Sequence, residues 1–152
     1  MTFNYALPEH ILKGETTDVY FERTLKTLRN EGLEKVEVTA EATISAVPNK
    51  YRWVVYAGLR EVLQLLKGRQ VNVYSIPEGT LIRPIDYNGL KVPVLVLEGP
   101  YGEFALFETA LLGFLAAASG VATKAARVKK AASGRSVLSF GARRTHPAIA
   151  PF

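Results

Sequence analysis

The 152-residue sequence contains no cysteine and only two histidines, His10 and His146. The first absence excludes disulfides and thiolate-bound metals, and two histidines are too few for a zinc cluster. Also missing is a basic stretch followed by an apolar core at the N-terminus. MTFNYALPEH therefore does not read as a secretory signal, and a cytoplasmic location is the default expectation. No apolar run reaches the roughly 20 residues needed to span a bilayer. The longest, FALFETALLGFLAAA at 104–118, carries Glu108 and reads as a buried helix of a soluble protein, so no membrane partner is expected. Acidic residues are scarce at one end: residues 101–152 hold 7 basic and 2 acidic residues, whereas 1–100 hold 12 of each. The net charge of +5 thus comes entirely from the last third, where an anionic partner is expected to bind.

With 48% hydrophobic and 22% charged residues, the composition is that of a globular chain, long enough for one domain or for a small domain and part of another. Thr17 suits a helix N-cap and Asp18 a first turn; Phe21, Leu25 and Leu28 then fall at i, i+4 and i+7 before Asn30 and Gly32, which predicts an amphipathic helix over 17–30. KVEVTAEATIS alternates apolar and polar residues as a half-buried strand does. A second helix is expected from Trp53 to Lys67, stopped by Gly68. From 71 to 98 the texture is β, with Asn88-Gly89 as a hairpin turn. Residues 1–100 thus read as an α+β unit.

Gly99-Pro100 opens a second regime. A helix over 104–118, a break at Ser119-Gly120, a second helix over VATKAARVKKAA and a buried strand over Ser136–Phe140 are expected, followed by a glycine-arginine loop. Helix, strand and a polar loop at the strand's C-terminal end is how an α/β barrel begins.

FGARR offers a stacking ring in Phe140, close approach at Gly141, and forked donors for phosphate or carboxylate in Arg143 and Arg144. It reads equally well as a basic turn after a buried phenylalanine. Tyr20 in TDVY could stack on a ring, although an aromatic one turn into an amphipathic helix more often joins the core. Lys124, Arg127 and Lys130 form a basic stripe, which is more often a solvated face than a nucleic-acid surface; no aromatic interleaves it in sequence. Glu108 calls for a structural ion pair, with the arginines as candidate partners, ahead of a direct role in chemistry. His146, before a proline, reads as an exposed loop residue or an anion donor.

TDVYFERTL, FETALLGFLAAASGVATKAARV and SFGARRTHP together resemble the Thr-Asp-x-Tyr, Glu-Thr-x-Leu … Ser-Gly-x-Ala-Thr and Phe-Gly-x-Arg-Arg motifs of the nicotinate phosphoribosyltransferases, in the archaeal-type branch of the type II phosphoribosyltransferases. The resemblance implies an α+β N-terminal domain at 1–100, an α/β sandwich of hammerhead-like shape, and linker helices at 101–152 that lead to the first strand of an irregular α/β barrel. It implies that the chain corresponds to the N-terminal portion of such an enzyme and is inactive without the rest of the barrel.

The reaction so implied joins nicotinate to phosphoribosyl pyrophosphate, yielding nicotinate mononucleotide and pyrophosphate in NAD salvage, with Mg2+ and with ATP as co-substrate. Phe140 would stack on one face of nicotinate and Tyr20, from a neighbouring subunit of a homo-oligomer, on the other. Arg143 and Arg144 would hold phosphate, pyrophosphate or carboxylate oxygens. Asp18 would orient the Tyr20 segment, Gly141 would admit the ring, and His146 would lie behind these contacts. No metal-ligating residue and no nucleic-acid partner is expected on this reading. The rivals are a quinolinate phosphoribosyltransferase and a basic nucleic-acid-binding module.

Overall fold

The computed structural model describes residues 5–45, 47–48 and 51–150. In chain order the elements are α1 (Pro8–Leu12), α2 (Val19–Asn30), β1 (Glu37–Thr43), β2 (Val54–Val55), α3 (Leu59–Leu66), β3 (Asn72–Ser75), β4 (Leu81–Ile82), β5 (Pro93–Pro100), α4 (Tyr101–Phe104) and α5 (Glu108–Ala131), with short 3-10 turns at Ala105–Phe107 and Ala142–Arg144. They form a mixed α/β domain. A three-stranded antiparallel sheet has the order β1-β5-β3, and β2 pairs with β4 separately.

Register explains which face is dry. Ala40 pairs with Leu97, and Leu97 with Val73, so these three side chains share one face of the sheet. Thr39, Glu98 and Asn72 form the equivalent row on the other, polar face. Onto the apolar face pack Val62, Leu65 and Leu66 of α3, Phe104 and Phe107, and Leu111 and Leu115 of α5, so the helices after residue 100 share one core with the sheet before it.

Two expected elements hold closely. α2 buries Phe21 and Leu25 and ends at Asn30, where Gly32 takes a left-handed conformation and the Leu33 amide reaches back to the Leu28 carbonyl. β1 alternates as expected, with Val38, Ala40 and Ala42 packed against the core. Asn88-Gly89 does reverse the chain, and the Ile85–Lys91 bridge with the Asp86–Leu90 and Val92–Pro84 backbone bonds joins its arms, but no longer ladder forms, because β5 is held by β1 and β3 while β4 is held by β2.

Three expectations are corrected. The helix expected from Trp53 starts only at Leu59: Val54 and Val55 instead pair with Ile82 and Leu81, and Gly58, at φ 98°, breaks the path before α3. The helix expected to break at Ser119-Gly120 runs without interruption through 24 residues. The Ser119 hydroxyl bonds to Ala57 across the domain, and a lone glycine inside a long packed helix costs only about 1 kcal/mol, so neither residue stops the helix. Residues 135–141 form no strand; Leu138 is 78% exposed, since no neighbouring strand offers a ladder to pair with among the described residues.

By length and composition Tyr101–Ala131 would suffice to cross a membrane. Here its Leu111, Leu115, Ala118 and Thr123 are buried, and α5 is the helix that α3 and β2 lean on. Two hydroxyls one turn apart make that contact specific. Thr123 Oγ1 accepts the Val55 amide at 2.8 Å, while Ser119 Oγ accepts the Ala57 amide at 3.0 Å and donates to the Ala57 carbonyl at 3.1 Å. Thr123 thus satisfies an amide of β2 that its partner β4 leaves open, and Ser119 satisfies both backbone groups of Ala57 just beyond it. Thr123→Val keeps the branched shape but orphans the Val55 amide, and is expected to cost about 1–3 kcal/mol. Urea unfolding reads this directly, and an unshifted midpoint would remove the pin.

Candidate substrate site

The first half of the site is built where two helices begin. Asp18 is the N-cap residue of α2, displacing Thr17 from the role expected for it, yet its side chain makes no capping bond. The carboxylate is used across the domain instead. Thr109 in the first turn of α5 donates its hydroxyl to Asp18 Oδ2 at 3.1 Å and accepts the Asp18 amide at 3.1 Å, joining positions 91 residues apart. Tyr20 follows. The core reading of Tyr20 is corrected: it is 55% exposed, while the adjacent Phe21, its ring centroid 4.0 Å away, is 4% exposed and takes the core position.

Glu108 lies beside Tyr20 and Tyr101, at a cavity of about 100 Å³ walled by Ala40, Leu95, Leu97 and Phe104. Its carboxyl is raised above the usual range by burial. The Tyr20 phenol is raised by partial burial, then by the charges of Glu108 and Asp18; that of Tyr101 by burial, then by Glu108 and Tyr20. The ion pair expected for Glu108 does not form among the described residues. Partial exposure and a raised pKa accommodate the carboxyl in its place.

The second half is the loop after α5. Phe140 is 80% exposed, which corrects the reading of a buried phenylalanine before a basic turn. The Arg144 amide and the Thr145 hydroxyl both donate to the Gly141 carbonyl, at 2.9 and 3.0 Å, folding the loop into a 3-10 turn. Gly141 has a right-handed backbone that any residue could adopt, so only its small size distinguishes it. Arg143 and Arg144 are exposed, and neither guanidinium has an intramolecular partner among the described residues. His146 is held, with Nδ1 accepting the Ala148 amide at 3.2 Å and its ring edge-on to Tyr5 at 5.2 Å.

Asp18 and Tyr20 therefore form one group with Glu108 and Thr109; Phe140, Gly141, Arg143, Arg144 and His146 form another. No ring contact joins Tyr20 to Phe140 among the described residues. No group of three or more His, Cys, Asp or Glu that could hold a metal occurs among the described residues. The basic stripe is not the uniform solvated face expected of it. The Arg127 guanidinium lies 3.7 Å from the Tyr51 ring centroid and 5.5 Å from that of Trp53, whereas Lys124 and Lys130 stay exposed. Tyr51 also walls an apolar cavity of about 400 Å³ between Ile44, Val54, Leu112 and Leu115.

Sequence reasoning missed the three hydroxyls, Thr109, Ser119 and Thr123, that tie α5 to α2 and β2. The available signal was their position in an apolar helix, where a hydroxyl needs a partner.

Comparison with known proteins places these motifs. The Arabidopsis thaliana protein named nicotinate phosphoribosyltransferase 2 is 44% identical over 85 residues, which is 55% of this chain and 14% of that one. The crystal structure named nicotinate-nucleotide pyrophosphorylase from Pyrococcus furiosus superposes with a TM-score of 0.90 at 48% identity, over 99% of this chain and 37% of that one. The structure of human nicotinic acid phosphoribosyltransferase gives 0.70 at 25% identity, over 80% and 30%. The chain thus spans a minor part of each relative's length. A family model described as quinolinate phosphoribosyl transferase, N-terminal domain, matches residues 18–119, from the Asp18 tie to the Ser119 pin. By that match over two thirds of its length, the chain belongs to the family of quinolinate phosphoribosyl transferase N-terminal domains.

Proposed function

We propose that the chain is the N-terminal part of a nicotinate phosphoribosyltransferase, active once a barrel completes it. The observation that carries this is Tyr20: an aromatic ring turned outward on a helix whose start is tied down, while its neighbour Phe21 fills the core. The names of relatives that share the surrounding motif support nicotinate as the substrate.

In the proposed reaction the pyridine nitrogen forms a bond to the anomeric carbon of phosphoribosyl pyrophosphate as the bond to pyrophosphate breaks. The electron pair leaves on pyrophosphate, and no proton need move. The protein's task is placement and charge stabilisation. Phe140 and Tyr20 would hold the ring between them, with Asp18 orienting Tyr20; the open Gly141 admits the ring, Arg143 and Arg144 meet the oxygens, and His146 steadies the loop from behind. Because Tyr20 and Phe140 do not meet within one chain, the sandwich calls for Tyr20 from a second copy, which supports a homo-oligomer with shared sites. Residues 1–100 are then the substrate and dimer unit of a hammerhead-like sandwich, and 101–152 lead into the barrel. Mg2+ travelling with the phosphates, ATP as co-substrate and a cytoplasmic location belong to the proposal, and no residue of this chain is assigned to metal or ATP.

The test is product formation from nicotinate and phosphoribosyl pyrophosphate, with Mg2+ and with or without ATP. It is run on this chain alone and on the chain fused to the remaining length of the Pyrococcus furiosus protein. Turnover in the fusion only is the expected result; a folded but inactive fusion would overturn the reading. The family description favours a second reading, quinolinate as substrate, in which case the fusion prefers the dicarboxylate. A nucleic-acid module would instead show binding that falls steeply with salt and ignores pyridine carboxylates.

A further inference from the structure

We propose that Thr109 is a positioning residue for Tyr20, acting through Asp18; as a role in turnover this rests on the nicotinate reading above. The geometry is specific. One hydroxyl makes two bonds to one residue, accepting from its amide and donating to its carboxylate. An N-cap aspartate ordinarily turns its carboxylate onto the free amides of its own helix. Asp18 does not, so the start of α2 relies on its tie to α5.

Tyr20 lies two residues beyond that tie, within the first turn of α2. Below it α2 is anchored by Phe21 and Leu25 in the core, which fix the helix axis but not the entry of the chain. The Thr109 hydroxyl fixes the entry. Neither Thr109 nor Asp18 is buried, so the pair contributes little to the core, and its consequence falls on the exposed ring it aims. Serine at 109 would keep the hydroxyl; valine would keep the branching and lose both bonds.

The experiment uses Thr109→Val and Thr109→Ser in the fusion described above, with Asp18→Ala and the double variant completing a cycle. Thr109→Val is expected to raise the nicotinate KM about fivefold to tenfold, the size of one lost hydrogen bond, with kcat and the KM for phosphoribosyl pyrophosphate little changed. Thr109→Ser should restore the parent value, and Thr109→Val should have a smaller effect in the Asp18→Ala background than in the parent, since only the bond from the residue-18 amide is then left to lose. In this chain by itself, NMR hydrogen exchange at the Asp18 amide should speed up in Thr109→Val. An active parent whose nicotinate KM ignores Thr109→Val overturns the positioning role. If the parent fusion is inactive, the nicotinate reading and the role in turnover fail together. The exchange measurement still decides the tie itself, since unchanged exchange at Asp18 would show that Thr109 does not hold it.

Discussion

Gly58→Val is expected to cost the domain about 3 kcal/mol or more, enough to leave much of a marginally stable protein unfolded. Two separate penalties meet at this position. Gly58 has φ 98°, where a β-branched side chain is strongly disfavoured, and a Cβ there would lie 2.6 Å from the Phe114 carbonyl oxygen and 3.0 Å from the Ala118 Cβ. The carbonyl belongs to the middle of α5 and cannot swing aside, so relief requires α3 and α5 to separate. That movement would also strain the Ser119 bonds to Ala57 and the bond from the Gly58 amide to the Glu78 carboxylate. Gly68 supplies the control. Its φ is 81°, but nothing lies within 4 Å of a Cβ there. Gly68→Val therefore meets only the backbone penalty and should shift the urea midpoint much less. Equal losses at the two positions would mean that the close approach of the helices is not what selects glycine at 58.

The same helix contact explains why parts of the fold were legible in the sequence and others were not. α2 and β1 are set by local periodicity, Phe21 and Leu25 in one case and Val38, Ala40 and Ala42 in the other, and both appear where the pattern puts them. Trp53 to Gly58 had a helix-compatible pattern. Pairing with Leu81 and Ile82 and hydroxyls from Ser119 and Thr123 drew it into strand and turn, and those partners are up to 68 residues away. Ser119-Gly120 looked like a break because both residues weaken isolated helices; tertiary bonds outweigh that propensity. Ser136–Phe140 had the composition of a strand, but a strand exists only with a neighbour.

For the site, the residue types were readable and their arrangement was not. Tyr20 was weighed toward the core because an aromatic on an amphipathic helix is most often buried. Only the pairing of Phe21 with the core shows that the adjacent position is free to face outward. Glu108 suggested an ion pair, yet its neighbours are two tyrosines and an apolar cavity. Thr109 carried only the signal of a hydroxyl in an apolar helix, which does not identify a partner 91 residues earlier.

Arg143→Ala should behave in the opposite way to Gly58→Val, leaving stability intact and removing activity. The Arg143 side chain is exposed and bonds to nothing among the described residues, so its loss should change unfolding free energy by less than about 0.5 kcal/mol. In the proposed reaction negative charge grows on the departing pyrophosphate, and a guanidinium aimed there acts more strongly in the transition state than on bound substrate. Turnover with phosphoribosyl pyrophosphate in the fusion should then fall by roughly 10²–10³, the range seen when one preorganised donor is removed. Arg143→Lys should recover only part of it, because lysine keeps the charge and loses the two-pronged fork. Phe140→Ala separates the roles within the same loop: the ring contacts nicotinate before and during reaction alike, so its loss should raise the nicotinate KM and spare kcat. A kcat for Arg143→Ala equal to that of the parent would move the anion site to Arg144 or off the loop. A stability loss of several kcal/mol would instead show that Arg143 is a structural residue whose guanidinium is not free to meet a substrate.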